Sequence, residues 1–308
     1  VVSQQDGFVK GMQALWMVLA SLFFSAMSVC IKFAAVYFNT FELVGYRGAI
    51  GTLIMWVALR QKGISLYTPV PKMHAIRVLV GVTSLAAWFY AIAHLPLATA
   101  VTLNYMSAVW VAAFVVGSTI WLGSLQNAKL QIPVALTVLA GFAGVLMVLR
   151  PTFEQNQIVA GLVGVMSGIV SAVAYLQVAA LGRAGEPVER TVFYFSLGAA
   201  VSGALAMCIL GTHEWLWPQT LWLLPVGILA ALGQWCMTRA YSNGATLVVA
   251  NLQYTGIVFS ALFGLFLFGD QIPFIGWAGI GLIVLSGILA TALRDRSLRH
   301  IPAEEQSL

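Results

Sequence analysis

Long apolar runs alternate with short polar breaks along nearly the whole chain. Bounded by charge, Pro or Gly, these runs predict spans near 11–37, 42–59, 75–94, 97–121 and 131–149. A second set of five follows near 158–182, 188–211, 219–241, 245–268 and 273–293, with the polar stretch Arg150 to Gln157 as the link between the sets. A hydrocarbon core of ~30 Å takes about 20 apolar residues per helix, so each run is long enough to cross a bilayer. The predicted fold class is all-α integral membrane with ten transmembrane helices: 1–150 holds the first five, 158–293 the second five, and 294–308 a cytoplasmic tail.

Composition sharpens this picture. The chain is 60% hydrophobic and 8% charged, where soluble domains carry roughly 25% charged residues, and its mean hydropathy is +0.92. Ten spans leave no room for a soluble catalytic domain. A net charge of +5 would suggest nucleic acid in a soluble protein. Here the basic residues fall mostly in loops, so the expected surroundings are membrane lipid and no nucleic acid. The three cysteines (Cys30, Cys208, Cys236) lie in apolar stretches without CxxC spacing, and imply neither a disulfide framework nor a metal or other cofactor. The first run lacks a small-residue cleavage site and reads as a retained helix.

Loop charge orients the spans. With the N-terminus in the cytoplasm, Lys10, Arg60, Lys62, Lys72, Arg77, Lys129, Arg183, Arg190, Arg239, Arg294, Arg296 and Arg299 fall inside, and only Lys32, Arg47 and Arg150 fall toward the outside. Positive loops stay cytoplasmic, so a multi-pass protein of the bacterial inner membrane with both termini cytoplasmic is expected.

The two sets also resemble each other. A shift of 147 places Trp88 on Trp235, Ala93 on Ala240, Ala98 on Ala245, Thr99 on Thr246, Val101 on Val248 and Asn104 on Asn251. Helices rich in Ala, Gly, Leu and Val can match by chance, but Trp and Asn are rare enough to weigh against it. Five helices per unit is an odd number, so the second copy enters the membrane upside down. Such inverted repeats underlie alternating access in many transporters.

Particular stretches carry a family resemblance: Ser25-Ala26-Met27 through Ile31-Lys32-Phe33, Phe41-Glu42-Leu43-Val44-Gly45-Tyr46-Arg47-Gly48, Phe89-Tyr90-Ala91-Ile92-Ala93-His94-Leu95-Pro96-Leu97-Ala98, and Leu267-Phe268-Gly269-Asp270. With these the chain resembles the EamA-type members of the drug/metabolite transporter superfamily, over nearly its whole length. The resemblance implies ten helices in two inverted five-helix repeats, a central cavity between them, and export of small metabolites or drugs. One departure is visible: Leu122-Gly123-Ser124 closes the fourth span where the family carries an acidic residue, as Asp270 does in the ninth. Its loss puts a helix cap in doubt more than the function.

Charge within a span is costly and marks functional candidates. None of the ten carboxylates is mid-span, whereas Lys32, Arg47 and Arg239 lie within or at the edge of apolar segments. A carrier of organic cations coupled to protons needs a buried carboxylate, so the expected solute is anionic, zwitterionic or neutral, such as an amino acid or related compound. Arg47 is the candidate to meet its acidic group through a planar fork of donors; its competing roles are snorkelling to the interface or pairing with Glu42. Snorkelling is the expectation for Lys32 and Arg239. Polar and aromatic residues within spans complete the candidate binding set: Trp88, Tyr90, Asn104, Tyr105, Tyr175, Gln234, Trp235, Asn251 and Tyr254. For the aromatic members the competing role is packing or interfacial anchoring. Gly161, Gly164 and Gly168 predict close packing of the sixth span, and Pro225 a kink in the eighth.

Other functions are weaker fits. A membrane enzyme needs a nucleophile–base pair or metal ligands inside the spans, and no GxSxG, HExxH or Walker motif occurs. A secondary or facilitative exporter by alternating access, monomer or dimer, is the reading; an exporter of cationic or lipophilic drugs, or a channel-like pore, is the alternative.

Overall fold

The computed structural model describes residues 2–152, 157–213 and 217–299, with side chains over 13–124, 128–152, 157–213 and 217–294. Among the described residues every regular element is helical. Ten helices are long and apolar enough to cross a membrane, from Gln13–Ala34 to Phe274–Arg294, and they fall close to the predicted runs.

The helices are α1 (Val2–Ala34), α2 (Thr40–Gln61), α3 (Pro71–His94), α4 (Leu97–Tyr105), α5 (Ser107–Trp121), α6 (Leu125–Leu149), α7 (Ile158–Arg183), α8 (Val188–Leu210), α9 (Leu223–Asn243), α10 (Thr246–Leu252), α11 (Thr255–Phe263) and α12 (Phe274–Arg299). Local chemistry sets several boundaries. Asn39 caps α2 by accepting from the N–H groups of Phe41 and Glu42, while Glu42 Oε2 accepts from Asn39 N at 2.7 Å; this reciprocal box satisfies donors that a helix start leaves open. Pro71 opens α3, where its missing N–H costs nothing. Pro225 lies in the first turn of α9, just after a short 3-10 segment at Gln219–Trp222, near one end of the eighth span.

Two spans are interrupted. The fourth pauses at Met106 between α4 and α5, and the ninth at Gln253 and Tyr254 between α10 and α11. Backbone groups loosened inside a membrane need new partners. In the ninth span α1 supplies them: Ser21 Oγ donates to Gln253 O (3.4 Å) and Ser25 Oγ to Gly256 O (2.8 Å). Both interrupted spans end on a glycine in the left-handed region, Gly123 (φ 76°) and Gly269 (φ 70°), a conformation costly for residues with a Cβ.

The principal packing pairs are α2 with α8, α6 with α12, α1 with α9 and α3 with α7. Each unites one span from before residue 152 with one from after 157. Counted as spans one to ten, these pairs are 2–7, 5–10, 1–8 and 6–3. Adding five to each span of the first half maps the first two pairs onto themselves and exchanges the last two.

Lipid offers no hydrophobic push between helices, so close backbone approach does the work. A Cβ at Gly48 would sit 2.5 Å from Ala200 N, and one at Gly144 would sit 2.7 Å from Gly279 O. Gly164 and Gly168 of α7 do pack closely, against Leu103 of α4 at 2.6 and 2.5 Å from their Cβ positions. Large apolar side chains such as Leu53, Leu79, Leu136, Leu162 and Leu285 cover the outside of the bundle.

Candidate functional site

The inward faces of α3 and α7 carry matching stripes at three- and four-residue spacing: Arg77, Gly81, Ser84 and Trp88 on one, Gly164, Gly168, Ser171 and Tyr175 on the other. Ser84 Oγ lies 2.5 Å from Ser171 Oγ. Asn104, near the end of α4, donates through Nδ2 to Ser167 Oγ (3.4 Å) and Ser171 Oγ (3.3 Å). These bonds are long, and Asn104 stays part-exposed.

Tyrosines fill the centre. Tyr105 faces Tyr254 across 6.3 Å between ring centroids, with Phe142 at 6.3 Å on the same Tyr254 ring. Tyr175 stacks on Tyr241 at 5.2 Å. The Tyr241 hydroxyl donates to Gln253 Oε1 (3.4 Å), and Gln253 Nε2 donates to Ser107 Oγ (3.1 Å), so the side chain at the break of the ninth span reaches the start of α5. The Tyr254 hydroxyl is buried without a hydrogen-bond partner, as are the indole N–H groups of Trp88 and Trp110.

Charge is distributed unevenly around this centre. At the Asn39 end, Glu42 is fully buried and committed: besides Asn39 it accepts from His213 N (2.6 Å) and lies 2.8 Å from His213 Nδ1. Glu42 therefore does not pair with Arg47. That arginine is part-exposed, and none of the hydrogen bonds or ion pairs among the described residues reaches it. Ile50, one turn on from Arg47, packs against Gly227 at 2.6 Å from its Cβ position, which places this face of α2 toward α9.

At the opposite end, where Lys62 follows α2, the acids are likewise taken. Glu189 Oε1 meets Lys62 Nζ at 2.6 Å and accepts from Trp235 Nε1 at 3.1 Å. Glu186, in the turn before α8, accepts from Thr68 Oγ1 (2.8 Å) and Arg190 Nη1 (3.1 Å) and lies 3.0 Å from His74 Nε2. Burial works against its ionisation, but the bonds from His74, Thr68 and Arg190 outweigh that and hold its carboxyl below the usual carboxylate range. Arg239 does not snorkel freely: its guanidinium lies over Trp16 (4.7 Å) and Trp235 (5.2 Å), and Nε reaches Gln13 Oε1 at 3.5 Å. Lys32 is exposed, with Nζ 3.5 Å from the centroid of Phe268, in keeping with an interfacial role.

Arg77, grouped by sequence with the charges on the cytoplasmic side, is a buried group in the structure. It sits in the second turn of α3, only 3% exposed, with its guanidinium 4.0 Å over the Phe195 ring. Its Nε and Nη1 have no hydrogen-bond partner. A Cβ at Gly81 would collide with Nη1, so this glycine is what makes room for the group. The signal was present as an Arg77–Gly81–Ser84–Trp88 stripe on one helical face.

Of the ten candidates, Tyr105, Tyr175 and Tyr254 gather in the tyrosine-lined interior, and Asn104 and Trp88 border it. Trp235 lies at the Lys62 end beside Glu189, with Gln234 part-exposed next to it. Tyr90 stands apart, 41% exposed and stacked on His94 at 4.2 Å. Asn251 is buried and engaged at both ends: Nδ2 donates to Thr137 Oγ1 (2.9 Å) and Ser286 O (3.0 Å), and Oδ1 accepts from Ser286 Oγ (3.1 Å). It joins α10 to α6 and α12, with both Nδ2 hydrogens and one lone pair of Oδ1 engaged within the protein. Ser84, Ser171, Tyr241 and Ser107 are interior polar groups outside the ten.

Comparison with known proteins gives this interior a context. Residues 158–292 match the EamA-like transporter family. The pseudopaline exporter CntI of Pseudomonas aeruginosa is 35% identical over 262 residues, covering 83% of this chain and 87% of that protein. The chain belongs to the EamA-like transporter family. Within the family it is also similar to an uncharacterized transporter of Helicobacter pylori, 30% identical over 88% of this chain and 91% of that one. A riboflavin transporter of Vibrio cholerae is 28% identical over 93% and 95%. A solved crystal structure shares the fold at TM-score 0.76 with 19% identity, covering 92% of this chain and 99% of the other. The protein is thus a multi-pass membrane transporter, and its EamA relatives are named as transporters, not enzymes.

Proposed function

We propose that this EamA-family protein carries a small organic solute with an acidic group, anionic or zwitterionic, across the bacterial inner membrane and out of the cell. The observation that carries this reading is the charge balance of the interior. Glu42, Glu186 and Glu189 are each occupied by protein donors, whereas Arg47 has no carboxylate partner and the indole N–H groups of Trp88 and Trp110 have no acceptor. An interior with open donors and no open acid favours a solute that brings acceptors and negative charge. The tyrosine pairs Tyr105–Tyr254 and Tyr175–Tyr241 offer it flat apolar surface and hydroxyls.

Alternating access between two halves of inverted topology is the proposed mechanism. Its support is the 147-residue internal match and the way the packing pairs map onto one another when the halves are exchanged. The outward direction draws on CntI being named an exporter, and cytoplasmic termini draw on the twelve-to-three excess of loop Lys and Arg.

The test is reconstitution in liposomes with solute counterflow, preceded by thermal-stability screening of the purified protein against amino acids, organic anions, nucleosides and organic cations. Acid-bearing solutes that stabilise the parent but not Arg47→Ala, and that show saturable counterflow, are expected. Stabilisation by organic cations alone sinks the reading in favour of a drug-type exporter, and non-saturable flux would favour a pore.

A further inference from the structure

The fourth and ninth spans are interrupted at the same place. The shift of 147 that carries Asn104 onto Asn251 carries Met106, where the fourth span pauses, onto Gln253, where the ninth does. The residues there differ, Tyr105-Met106-Ser107 against Leu252-Gln253-Tyr254, and none is Pro or Gly. A joint that recurs at one position with different residues belongs to the architecture of the repeat, and a helix bends where its ladder is disturbed.

The two joints are in different states. Across the ninth, Tyr254 N donates to Asn251 O (3.1 Å), Gly256 N to Gln253 O (3.1 Å) and Ile257 N to Tyr254 O (3.0 Å), all bonds of the tight three-residue kind. Across the fourth, Met106 N donates to Thr102 O (3.1 Å) and Trp110 N to Met106 O (2.9 Å), four residues back as in an α-helix. The serines beside each joint differ in the same way. Ser21 and Ser25 of α1 donate to the backbone oxygens of Gln253 and Gly256, whereas Ser167 and Ser171 of α7 accept from the Asn104 side chain. Inverted halves that exchange roles need equivalent elements in unequal conformations, and this pair of joints supplies them.

The joints are also fastened to each other. Gln253 Nε2 donates to Ser107 Oγ at 3.1 Å, so the side chain at one break holds the residue that follows the other. Beside it Tyr105 sends its hydroxyl into the room left by Gly256, 2.8 Å from where a Cβ would stand. Gln253 and Ser107 are both buried, where polar groups released from each other find no water in exchange. Gln253 Oε1 accepts from Tyr241, which stacks on Tyr175, so the link lies directly behind the tyrosines of the candidate site. The repeat does not duplicate it. Met106 stands in the place of Gln253 and has no amide, so the opposite arrangement of the halves gains no equivalent bond.

We propose that Gln253 is a positioning residue of the transport cycle: through Ser107 it ties the tight joint of the ninth span to the looser joint of the fourth, and thereby favours the conformation described here over its exchanged counterpart. This inference rests on alternating access as proposed above and assigns the bias between its two conformations to one bond.

Spin-label distances measured in liposomes test it, with Cys30, Cys208 and Cys236 replaced by Ala. One pair of labels, at Leu97→Cys and Phe266→Cys, reports one end of the two spans, and a second pair, at Leu122→Cys and Asn243→Cys, reports the other; all four sites are exposed. Each pair is expected to show a main and a minor distance in the parent. Gln253→Met, which keeps the length of the side chain, and Ser107→Ala are each expected to raise the minor population at both ends by at least about threefold relative to the main one, the equivalent of one interhelical bond. The double variant is expected to go no further than Gln253→Met. Glu42→Ala, remote from the joints, is expected to keep the parent ratio. Parent-like ratios in both Gln253→Met and Ser107→Ala, with saturable counterflow intact, overturn the inference and leave alternating access standing. A rise in only one of these two variants, or an equal rise in Glu42→Ala, removes the bond as the cause and overturns it too. A parent without saturable counterflow removes the carrier reading itself, and the inference with it.

Discussion

Glu42 Oε2 lies 2.8 Å from His213 Nδ1, and Glu42 Oε1 accepts from the backbone N–H of His213 at 2.6 Å, so one fully buried carboxylate joins the start of α2 to the chain just beyond α8. The same carboxylate closes the capping box on Asn39. Glu42→Ala opens both ends of this junction and leaves the Asn39 and His213 N–H groups without their acceptor. A loss of about 2–4 kcal/mol is expected, measured by denaturation of the purified protein. His213→Ala keeps the capping box and is expected to cost about half as much.

Glu186 sets a pH dependence. Its bonds to His74, Thr68 and Arg190 outweigh the effect of burial and hold its carboxyl below the unfolded value. The stabilisation is therefore fully present above the unfolded carboxylate pKa of about 4.3 and is lost as pH falls through the lower folded value. Melting temperature followed from pH 6 downward is expected to fall in the parent over this range and to fall less in Glu186→Gln, which has no charge to lose.

Asn104 and Asn251 occupy matching places in the internal repeat and are expected to behave differently. Asn251→Ala removes three hydrogen bonds between buried groups, and at about 0.6 kcal/mol for an average interhelical bond in a membrane the expected loss is roughly 2 kcal/mol. Asn104→Ala breaks two long bonds from a part-exposed side chain. Less than about 1 kcal/mol is expected in stability, together with a larger change in solute affinity than Asn251→Ala produces. Melting curves with and without solute check both.

The spans themselves were legible because a run of about 20 apolar residues has few other uses. The interruptions at Met106 and at Gln253–Tyr254 were not, since neither contains Pro or Gly, and the partners of the second, Ser21 and Ser25, come from a helix some 230 residues away in sequence. Facing was equally hidden. Tyr90 and Trp88 are two residues apart in the same apolar span, yet Tyr90 stacks on His94 at the surface while Trp88 buries its N–H. Periodicity cannot separate such residues when both faces of a helix are apolar. Arg77 falls within the run predicted from 75, at the end counted as cytoplasmic, but a charge near the start of a span reads equally well as an orientation signal, so its burial was not legible.

Glycine positions give the sharpest contrast in tolerance. Gly48→Ala places a methyl 2.5 Å from Ala200 N, against backbone that cannot rotate away, and a loss of at least about 2 kcal/mol is expected. Gly117 has nothing within 4 Å of its Cβ position, so Gly117→Ala in the middle of α5 is expected to be neutral or to stabilise by up to about 1 kcal/mol. Denaturation of the two variants side by side checks the pair.

The seams at Gly48 and Gly144 also bear on how so uniform a sequence finds one arrangement. Ten apolar cylinders in lipid have many nearly equivalent ways to lie side by side, and leucine against leucine distinguishes few of them. What distinguishes them is where a side chain is missing: α2 can settle fully only against a helix whose backbone fills the hollow at Gly48, and α6 only against one that fills the hollow at Gly144. Partner choice in this bundle is therefore written largely in its smallest residues, and each of these seams joins a helix of the first half to one of the second.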